Sequence, residues 1–283
     1  MFNVQCFLYF CNMNYLQELL SVYPQREARA LYMLVMEVAF GLHSTQVLLG
    51  KDKELSEDKQ TLLQNIIGRL TRKEPVQYIL GQADFCGHTF HVEPGVLIPR
   101  PETQELVHLI NLQHPNPCSI LDIGTGSGCI AISLALNGHE VTAFDVSPDA
   151  LCIAKKNARA LSVSVDFIEE NILQPSYNTQ QWDVIVSNPP YVCQKEAKQM
   201  DSNVLDYEPH LALFVPDDDP LLFYRAIAQY ACQHLKPRGR LYFEINQAYP
   251  TETTNLLTQM GFYQINTHLD MFDKPRFISA IKK

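Results

Sequence analysis

The residues best placed to do chemistry are Asn188, Pro189, Pro190 and Tyr191, which follow almost directly on the apolar run Val184-Ile185-Val186. Such a run reads as a buried strand, and the carboxyl end of a strand is where open α/β sheets bind their ligands. Two consecutive prolines fix φ and remove two backbone donors, so the loop is stiff and offers carbonyl oxygens without competing N–H groups. The Asn188 side-chain oxygen and the Pro189 carbonyl are then free to accept both N–H bonds of a planar NH₂ group, with Tyr191 lying on its flat face. An NH₂ conjugated to a carbonyl or an aromatic ring is a poor nucleophile because its lone pair is delocalised. Two acceptors aim that lone pair at an electrophile and favour the pyramidal, partly positive nitrogen of the transition state. The proton becomes acidic only as the new bond forms, so no base of unusual pKa is required beforehand. Alkylation of an amino nitrogen is the chemistry implied, against the plainer reading of a Pro-rich turn that ends a strand.

About 60 residues upstream, Asp122-Ile123-Gly124-Thr125-Gly126-Ser127-Gly128 follows another apolar strand and opens a helix of small and apolar residues. Glycines there let the backbone pass close beneath a nucleoside and adopt the positive φ of a tight strand-to-helix turn. The spacing is G-x-G-x-G, with Cys129 where a dinucleotide fingerprint has its last Gly or Ala, so a pyrophosphate cradle and a nicotinamide-dependent oxidoreductase are disfavoured. Asp145 ends the next strand, placed to accept hydrogen bonds from a ribose diol; the alternative is a structural cap on the turn before Ser147-Pro148. After a third strand comes Asn171-Ile172, where Ile172 is expected to pack on an adenine and Asn171 to reach its polar edge. The expected cofactor-binding set is therefore Gly124, Thr125, Gly126, Ser127, Gly128, Asp145, Ile172 and Asn188.

The elements that must position these residues alternate β-like and helical runs from Ser119 onward, the signature of a mainly parallel sheet with helices on both faces. Strands are expected at Ser119 to Ile123, Glu140 to Asp145, Val165 to Glu169, Trp182 to Ser187, Arg240 to Ile245, Phe262 to Thr267 and Arg276 to Ile281. The last two are too close for a crossover helix and should form an antiparallel hairpin at the sheet edge. Upstream, apolar residues fall at helical spacing: Leu16, Leu19 and Leu20 before Pro24; Ala28, Leu31, Leu34, Val35 and Val38 before Gly41; and Leu62, Leu63, Ile66, Ile67 and Leu70. Between these parts, Phe85, Phe90 and Val92, then Val96 and Leu97 beyond a Glu93-Pro94-Gly95 turn, fit a β-hairpin connector.

The chain has 283 residues, 46% of them hydrophobic, and its 22 basic and 31 acidic residues leave a formal charge of −9. That is a core-forming globular protein whose surface repels phosphate backbones, so direct nucleic-acid binding is not expected. The eight cysteines (Cys6, Cys11, Cys86, Cys118, Cys129, Cys152, Cys193, Cys232) form no CxxC pair or zinc-ligand cluster, as in a reduced, cytoplasmic protein. Met1 to Asn12 are apolar and aromatic but lack a signal peptide's basic region and cleavage site, and no run is long enough for a membrane span. Asp217-Asp218-Asp219 reads as the solvated start of a helix near Leu221 rather than a metal site. Arg100 and Glu102 are candidates for an ion pair, and His88 and His91 fall on opposite faces of a strand, poor geometry for a shared metal. No metal is expected.

Taken together, these motifs resemble the N5-glutamine methyltransferases of peptide chain release factors. The matching stretches are Asp122 to Gly128, Asn188 to Tyr191, Glu74-Pro75-Val76-Gln77-Tyr78-Ile79, Leu97-Ile98-Pro99-Arg100-Pro101-Glu102-Thr103 and Tyr207-Glu208-Pro209. The Asn-Pro-Pro-Tyr loop is shared with adenine and cytosine amino-methyltransferases, whereas the Ile-Pro-Arg-Pro-Glu-Thr segment and helical leader are more specific. The resemblance implies a seven-stranded mixed sheet of the S-adenosylmethionine-dependent methyltransferase (Rossmann-like) type. Its domains would be a helical substrate-docking domain (1–80), a β-hairpin connector (81–98) and the methyltransferase domain (99–283). It implies methyl transfer from S-adenosylmethionine to the glutamine of the Gly-Gly-Gln motif of class 1 release factors, by a monomer. Asn188 to Tyr191 would carry both catalysis and substrate binding. The sequence departs from the family where Asn171 replaces an acid and Gln104 a second Glu; the second bears on loop anchoring. Adenine-N6 methylation of DNA or RNA is the competing reading, and a catalytically silent binding module a third.

Overall fold

The computed structural model describes residues 13–283, so Met1 to Asn12, with Cys6 and Cys11, lie outside the described residues. The chain divides into two compact units, one taking in the chain up to Gly81 together with Ser202–Tyr207, the other Gln82–Asp201 and Glu208–Lys283.

The smaller unit is helical. Helices α1 (Met13–Leu20), α2 (Gln25–Phe40), α3 (Ser44–Leu48), α4 (Glu57–Thr71) and α5 (Val76–Leu80) succeed one another. Pro24 precedes α2, and Gly41 ends it in the left-handed region at φ 69°, its N–H bonded to the Glu37 carbonyl. The core joins Leu16, Leu19, Ala28, Tyr32, Val35, Met36, Leu63, Ile66, Ile67 and Leu70. Leu34 and Leu62, expected on the apolar stripes, are 40% and 48% exposed instead. The Tyr32 and Met36 ring and thioether occupy the buried face of α2, turning Leu34 outward. Inside this core, Asp52 is buried and accepts the Tyr32 hydroxyl at 2.8 Å, satisfying one carboxylate oxygen away from water.

The larger unit opens on a hairpin, β1 (Gln82–Phe85) and β2 (His88–His91), antiparallel with Phe85 opposite His88. Its turn is Cys86-Gly87, both at positive φ (49° and 76°), the twist a two-residue hairpin needs. The Glu93–Gly95 turn only follows β2, and Val96 and Leu97 join no strand. Helix α6 (Pro101–Gln113) comes next, with Pro101 in its first turn, where a missing N–H costs nothing.

The central sheet contains β3 (Ser119–Ile123), β4 (Glu140–Asp145), β5 (Asp166–Glu169), β6 (Trp182–Ser187), β9 (Leu235–Glu244), β10 (Tyr263–Leu269) and β11 (Pro275–Ile281). Its order is β10-β11-β9-β6-β3-β4-β5. The β3, β4, β5, β6 and β9 neighbours are parallel, and β11 is antiparallel to both β9 and β10. Two-residue strands β7 (Val192–Cys193) and β8 (Phe214–Val215) form a separate parallel pair. Helices α7 (Cys129–Leu136), α8 (Pro148–Ala160), α11 (Leu222–His234) and α12 (Pro250–Gln259) accompany the sheet; α9 (Ser202–Tyr207) and α10 (His210–Leu213) are single turns. One core cluster gathers Leu121, Ile185, Leu241 and Ile278 with α11, the other Ile120, Val184 and Tyr242 with α6 and α7. Successive strand residues therefore enter opposite cores, as a sheet covered on both faces requires.

Six of the seven strands lie within about two residues of the expected bounds. β9 starts five residues earlier than expected, because Lys236-Pro237-Arg238-Gly239 has turn-like composition yet is paired through an irregularity beside β6, with Arg238 at φ 63°.

Candidate active site

The chain runs from β3 through β4 and β5 to one side of the sheet, then crosses to β6 on the other side of β3. The switch point lies between β3 and β6, whose carboxyl ends are in register: Ile123 pairs with Ser187. The next residues are Gly124 and Asn188, so the glycine loop and the Asn-Pro-Pro-Tyr loop leave adjacent strand ends. Ser187 Oγ donates to the Ile123 carbonyl at 2.6 Å and ties the two exits together. Pairing of Ile123 with Phe144 sets Asp145 beside Gly124, and pairing of Ser187 with Phe243 sets Glu244 beside Asn188. Asp145, Gly124, Asn188 and Glu244 thus form a row along one sheet edge.

Gly124, Gly126 and Gly128 have φ of 75°, 55° and 82°. A Cβ on Gly124 or Gly126 would meet nothing within 4 Å, whereas on Gly128 it would strike Ile132 at 2.9 Å and Ala154 at 3.0 Å. The first two glycines therefore line open space, and the third serves helix packing. Thr125 and Ser127 are buried. The Thr125 hydroxyl donates to Asp122 Oδ2 at 2.7 Å, and burial pushes the Asp122 carboxyl up to about 7.

Asp145 accepts from the Gly126 amide at 2.8 Å and the Ser147 amide at 2.9 Å. It therefore performs the structural cap and also holds the glycine loop. A carboxylate offers about four acceptor positions, so the backbone amides do not exhaust its capacity to accept from a diol. Burial raises its pKa, against backbone amide bonds from Ser147, Gly126 and Val146. Ile172 is 9% exposed and belongs to the core cluster of the α11 face. It also lines a cleft of ≈ 560 Å³ walled mainly by residues of the β5–β6 loop and α11, which contains none of the other expected site residues. Asn171 is exposed, and its side-chain oxygen accepts the Leu173 amide at 3.0 Å, closing a local turn.

In the second loop Pro189 is buried, while Asn188, Pro190 and Tyr191 are half-buried. Asn188 Nδ2 donates to Thr103 Oγ1 at 3.3 Å, and Thr103 donates to Glu244 Oε2 at 2.7 Å. The Tyr191 hydroxyl donates to the other carboxylate oxygen, Oε1, at 3.0 Å. Burial raises the pKa of Glu244, partly offset by its two hydroxyl donors and by Arg276. Asn246 Nδ2 donates to the Tyr191 carbonyl at 3.0 Å and so fixes the loop's exit. Neither Thr103, beyond its place in a matching segment, nor Glu244 was singled out from sequence. The available signal for Glu244 was an acid ending the apolar strand Leu241-Tyr242-Phe243.

Among the side features, one resolves differently from expectation. Arg100 pairs with Glu208 at 2.5 Å rather than with Glu102, and Glu208 also accepts the Ile98 amide at 3.1 Å. The Tyr-Glu-Pro segment thereby clamps the Ile-Pro-Arg-Pro segment. Gln104 accepts the Cys86 amide at 2.9 Å, anchoring the connector hairpin to α6. Asp219 is held by Arg225 through two bonds of 2.8 Å, just before α11. Among the described residues no cluster of acids, histidines and cysteines has the geometry to hold a metal, and no helix is long and apolar enough to cross a membrane.

The open glycine cradle, the acceptors left on Asp145 and the Asn-Pro-Pro-Tyr loop on the adjoining strand fit a nucleoside cofactor whose reactive end approaches Asn188. The seven-stranded mixed sheet with its terminal antiparallel hairpin is the one expected from the sequence. A 16S rRNA N2 G1207 methyltransferase from T. thermophilus superposes with a TM-score of 0.53 at 19% identity, over 71% of this chain and 50% of that one. A methyltransferase from Pyrococcus furiosus does so with a TM-score of 0.53 at 16% identity, over 80% and 99%. Both show the fold alone. The family described as Methyltransferase small domain matches residues 102–206, and the PrmC N-terminal domain matches 14–81. The release factor glutamine methyltransferase of Bacteroides thetaiotaomicron is 48% identical over 267 residues, 93% of this chain and 96% of that protein. That of Flavobacterium psychrophilum is 44% identical over 273 residues, 94% and 96%. The chain is an S-adenosylmethionine-dependent methyltransferase. Within that class it belongs to the release factor glutamine methyltransferase family.

Proposed function

We propose that the chain methylates the side-chain amide nitrogen of the glutamine in the Gly-Gly-Gln motif of class 1 release factors, with Asn188–Tyr191 holding that amide. The observation that carries the assignment of roles is the register of β3 and β6, which sets Asn188 beside Gly124. S-adenosylmethionine would supply an electrophilic methyl group on a sulfonium sulfur: the methyl–sulfur bond breaks as the nitrogen–methyl bond forms, S-adenosylhomocysteine leaves as a neutral thioether, and the methylated amide gives up one proton to solvent. The glycine loop, open at Gly124 and Gly126, would pass beneath the cofactor, with Asp145 to accept from its ribose hydroxyls and Ile172 to pack on its adenine. Asn188 Oδ1 and the Pro189 carbonyl accept the two N–H bonds of the glutamine amide and turn its lone pair toward the methyl. The Tyr191 ring lies along the amide plane. The same acceptors stabilise the N–H bonds as positive charge grows on nitrogen, which is when a hydrogen bond to it is strongest.

The helical unit is the docking element for the protein substrate, a role supported by the match of residues 14–81 to a domain particular to this family. The formal charge of −9 supports a protein rather than a nucleic acid as the partner. The chain would work as a monomer in the cytoplasm. Replacing Asn188 by Ala tests the assignment. Turnover is expected to fall about tenfold or more while cofactor affinity is largely kept, because the lost acceptor acts in the transition state. Wild-type turnover in that variant would refute the role given to Asn188.

A further inference from the structure

An asparagine amide has two ends, and only one suits this reaction. If Asn188 presented its NH₂ to the substrate amide, donor would meet donor. Nothing in Asn188 itself selects the productive orientation, and the prolines beside it fix only the backbone.

The selection comes from two buried residues on other elements. Thr103 on α6 is 2% exposed and Glu244 at the end of β9 is 1% exposed, so water does not replace either partner. The threonine hydroxyl has a single proton. Glu244 Oε2 lies 2.7 Å away and, when ionised, only accepts, so that proton is committed to it. The Thr103 lone pairs are left for Asn188 Nδ2 at 3.3 Å. A flipped Asn188 would point its oxygen at an acceptor. The other Glu244 oxygen receives the Tyr191 hydroxyl at 3.0 Å, so one carboxylate holds both ends of the four-residue loop.

The charged groups facing Glu244 are Arg276, which favours its ionised form, and Glu102, which opposes it. Arg276 sits next to Phe277, the residue paired with Glu244 across β9 and β11, and is itself fixed by Asp270 at 3.0 Å.

We propose that Thr103 and Glu244 are positioning residues: their hydrogen bond polarises the Thr103 hydroxyl so that Asn188 is locked with its nitrogen inward and its oxygen toward the substrate. This rests on the reading of Asn188 as the acceptor for the glutamine amide. A purely structural Thr103–Glu244 bond, pinning α6 to β9, would weaken the protein in the same way whether or not Asn188 is present.

A double-mutant cycle between Thr103→Val and Asn188→Ala, read in kcat, cofactor affinity and melting temperature, separates these cases. Thr103→Val is expected to lower kcat about tenfold with cofactor affinity within about twofold of wild type, and Thr103→Ser to stay within about threefold. In the Asn188→Ala background Thr103→Val should cost nothing further. Wild-type kcat in Thr103→Val, or losses that multiply in the double variant, would overturn the proposal. An Asn188→Ala variant with full activity would instead overturn the reading beneath it. Should Thr103→Val fail to fold, Glu244→Gln enters the same cycle. Its amide is free to donate to Thr103 and turn the hydroxyl toward Asn188, so kcat should fall in the wild-type background only. An equal fall in both backgrounds, or none in either, contradicts the proposal.

Discussion

At the carboxyl end of β3, Asp122 shows how burial tunes a group that never needs to touch the substrate. It is fully buried and bonded to Thr125 inside the glycine loop, and desolvation lifts its carboxyl to about 7, so near neutral pH it is only partly ionised. S-adenosylmethionine carries a net positive charge, which favours the ionised carboxylate. Cofactor affinity is therefore expected to rise between about pH 6 and pH 8 and to flatten in Asp122→Asn, as measured by calorimetric titration across that range. A pH-independent affinity in the wild-type protein would contradict this. The sign for folding is opposite: a raised carboxyl pKa gives stability that is present below the ordinary aspartate range and lost as pH rises through about 7. The two loops proposed to form the site were legible in sequence because each is local. Asn188-Pro189-Pro190-Tyr191 carries its acceptors and stiffness within four positions, and the glycine spacing speaks for itself. Thr103 and Glu244 were not legible, since their partnership spans 141 positions and only the fold brings them together.

The three glycines of the first loop have separate duties at the scale of the element. Gly124 and Gly126 keep the cradle open, while Gly128 lets α7 start against α8. An added Cβ there would lie 2.9 Å from Ile132 and 3.0 Å from Ala154, at a φ of 82° that side chains rarely adopt. Gly128→Ala is expected to lower stability by about 2–4 kcal/mol, strain and overpacking together, read as a shifted denaturation midpoint with an unchanged slope. Loss of cofactor binding at full stability would show instead that Gly128 belongs to the cradle. Strand positions came through from sequence because both faces are covered, so apolar runs such as Val184 to Val186 stand out. The early half of β9 was hidden by Pro237 and Gly239, which read as a turn. Helix faces were blurred because Leu34 and Leu62 are apolar yet exposed, and spacing alone cannot rank them against Tyr32 and Met36.

For the whole molecule, the family assignment and the site geometry bear on different questions. The row of strand ends supplies the geometry for the proposed binding of a planar NH₂ beside a nucleoside cofactor, and the same arrangement would serve an adenine as well as a glutamine amide. Membership in the release factor glutamine methyltransferases and the acidic net charge favour the protein substrate. The most direct measurement follows label from S-adenosylmethionine in parallel incubations. These contain a class 1 release factor, the same factor with Gln→Ala in its Gly-Gly-Gln motif, and single-stranded or duplex DNA. Label is expected on the first alone, at the side-chain nitrogen of that glutamine. Label on nucleic acid, or on the release factor regardless of that glutamine, would contradict the account.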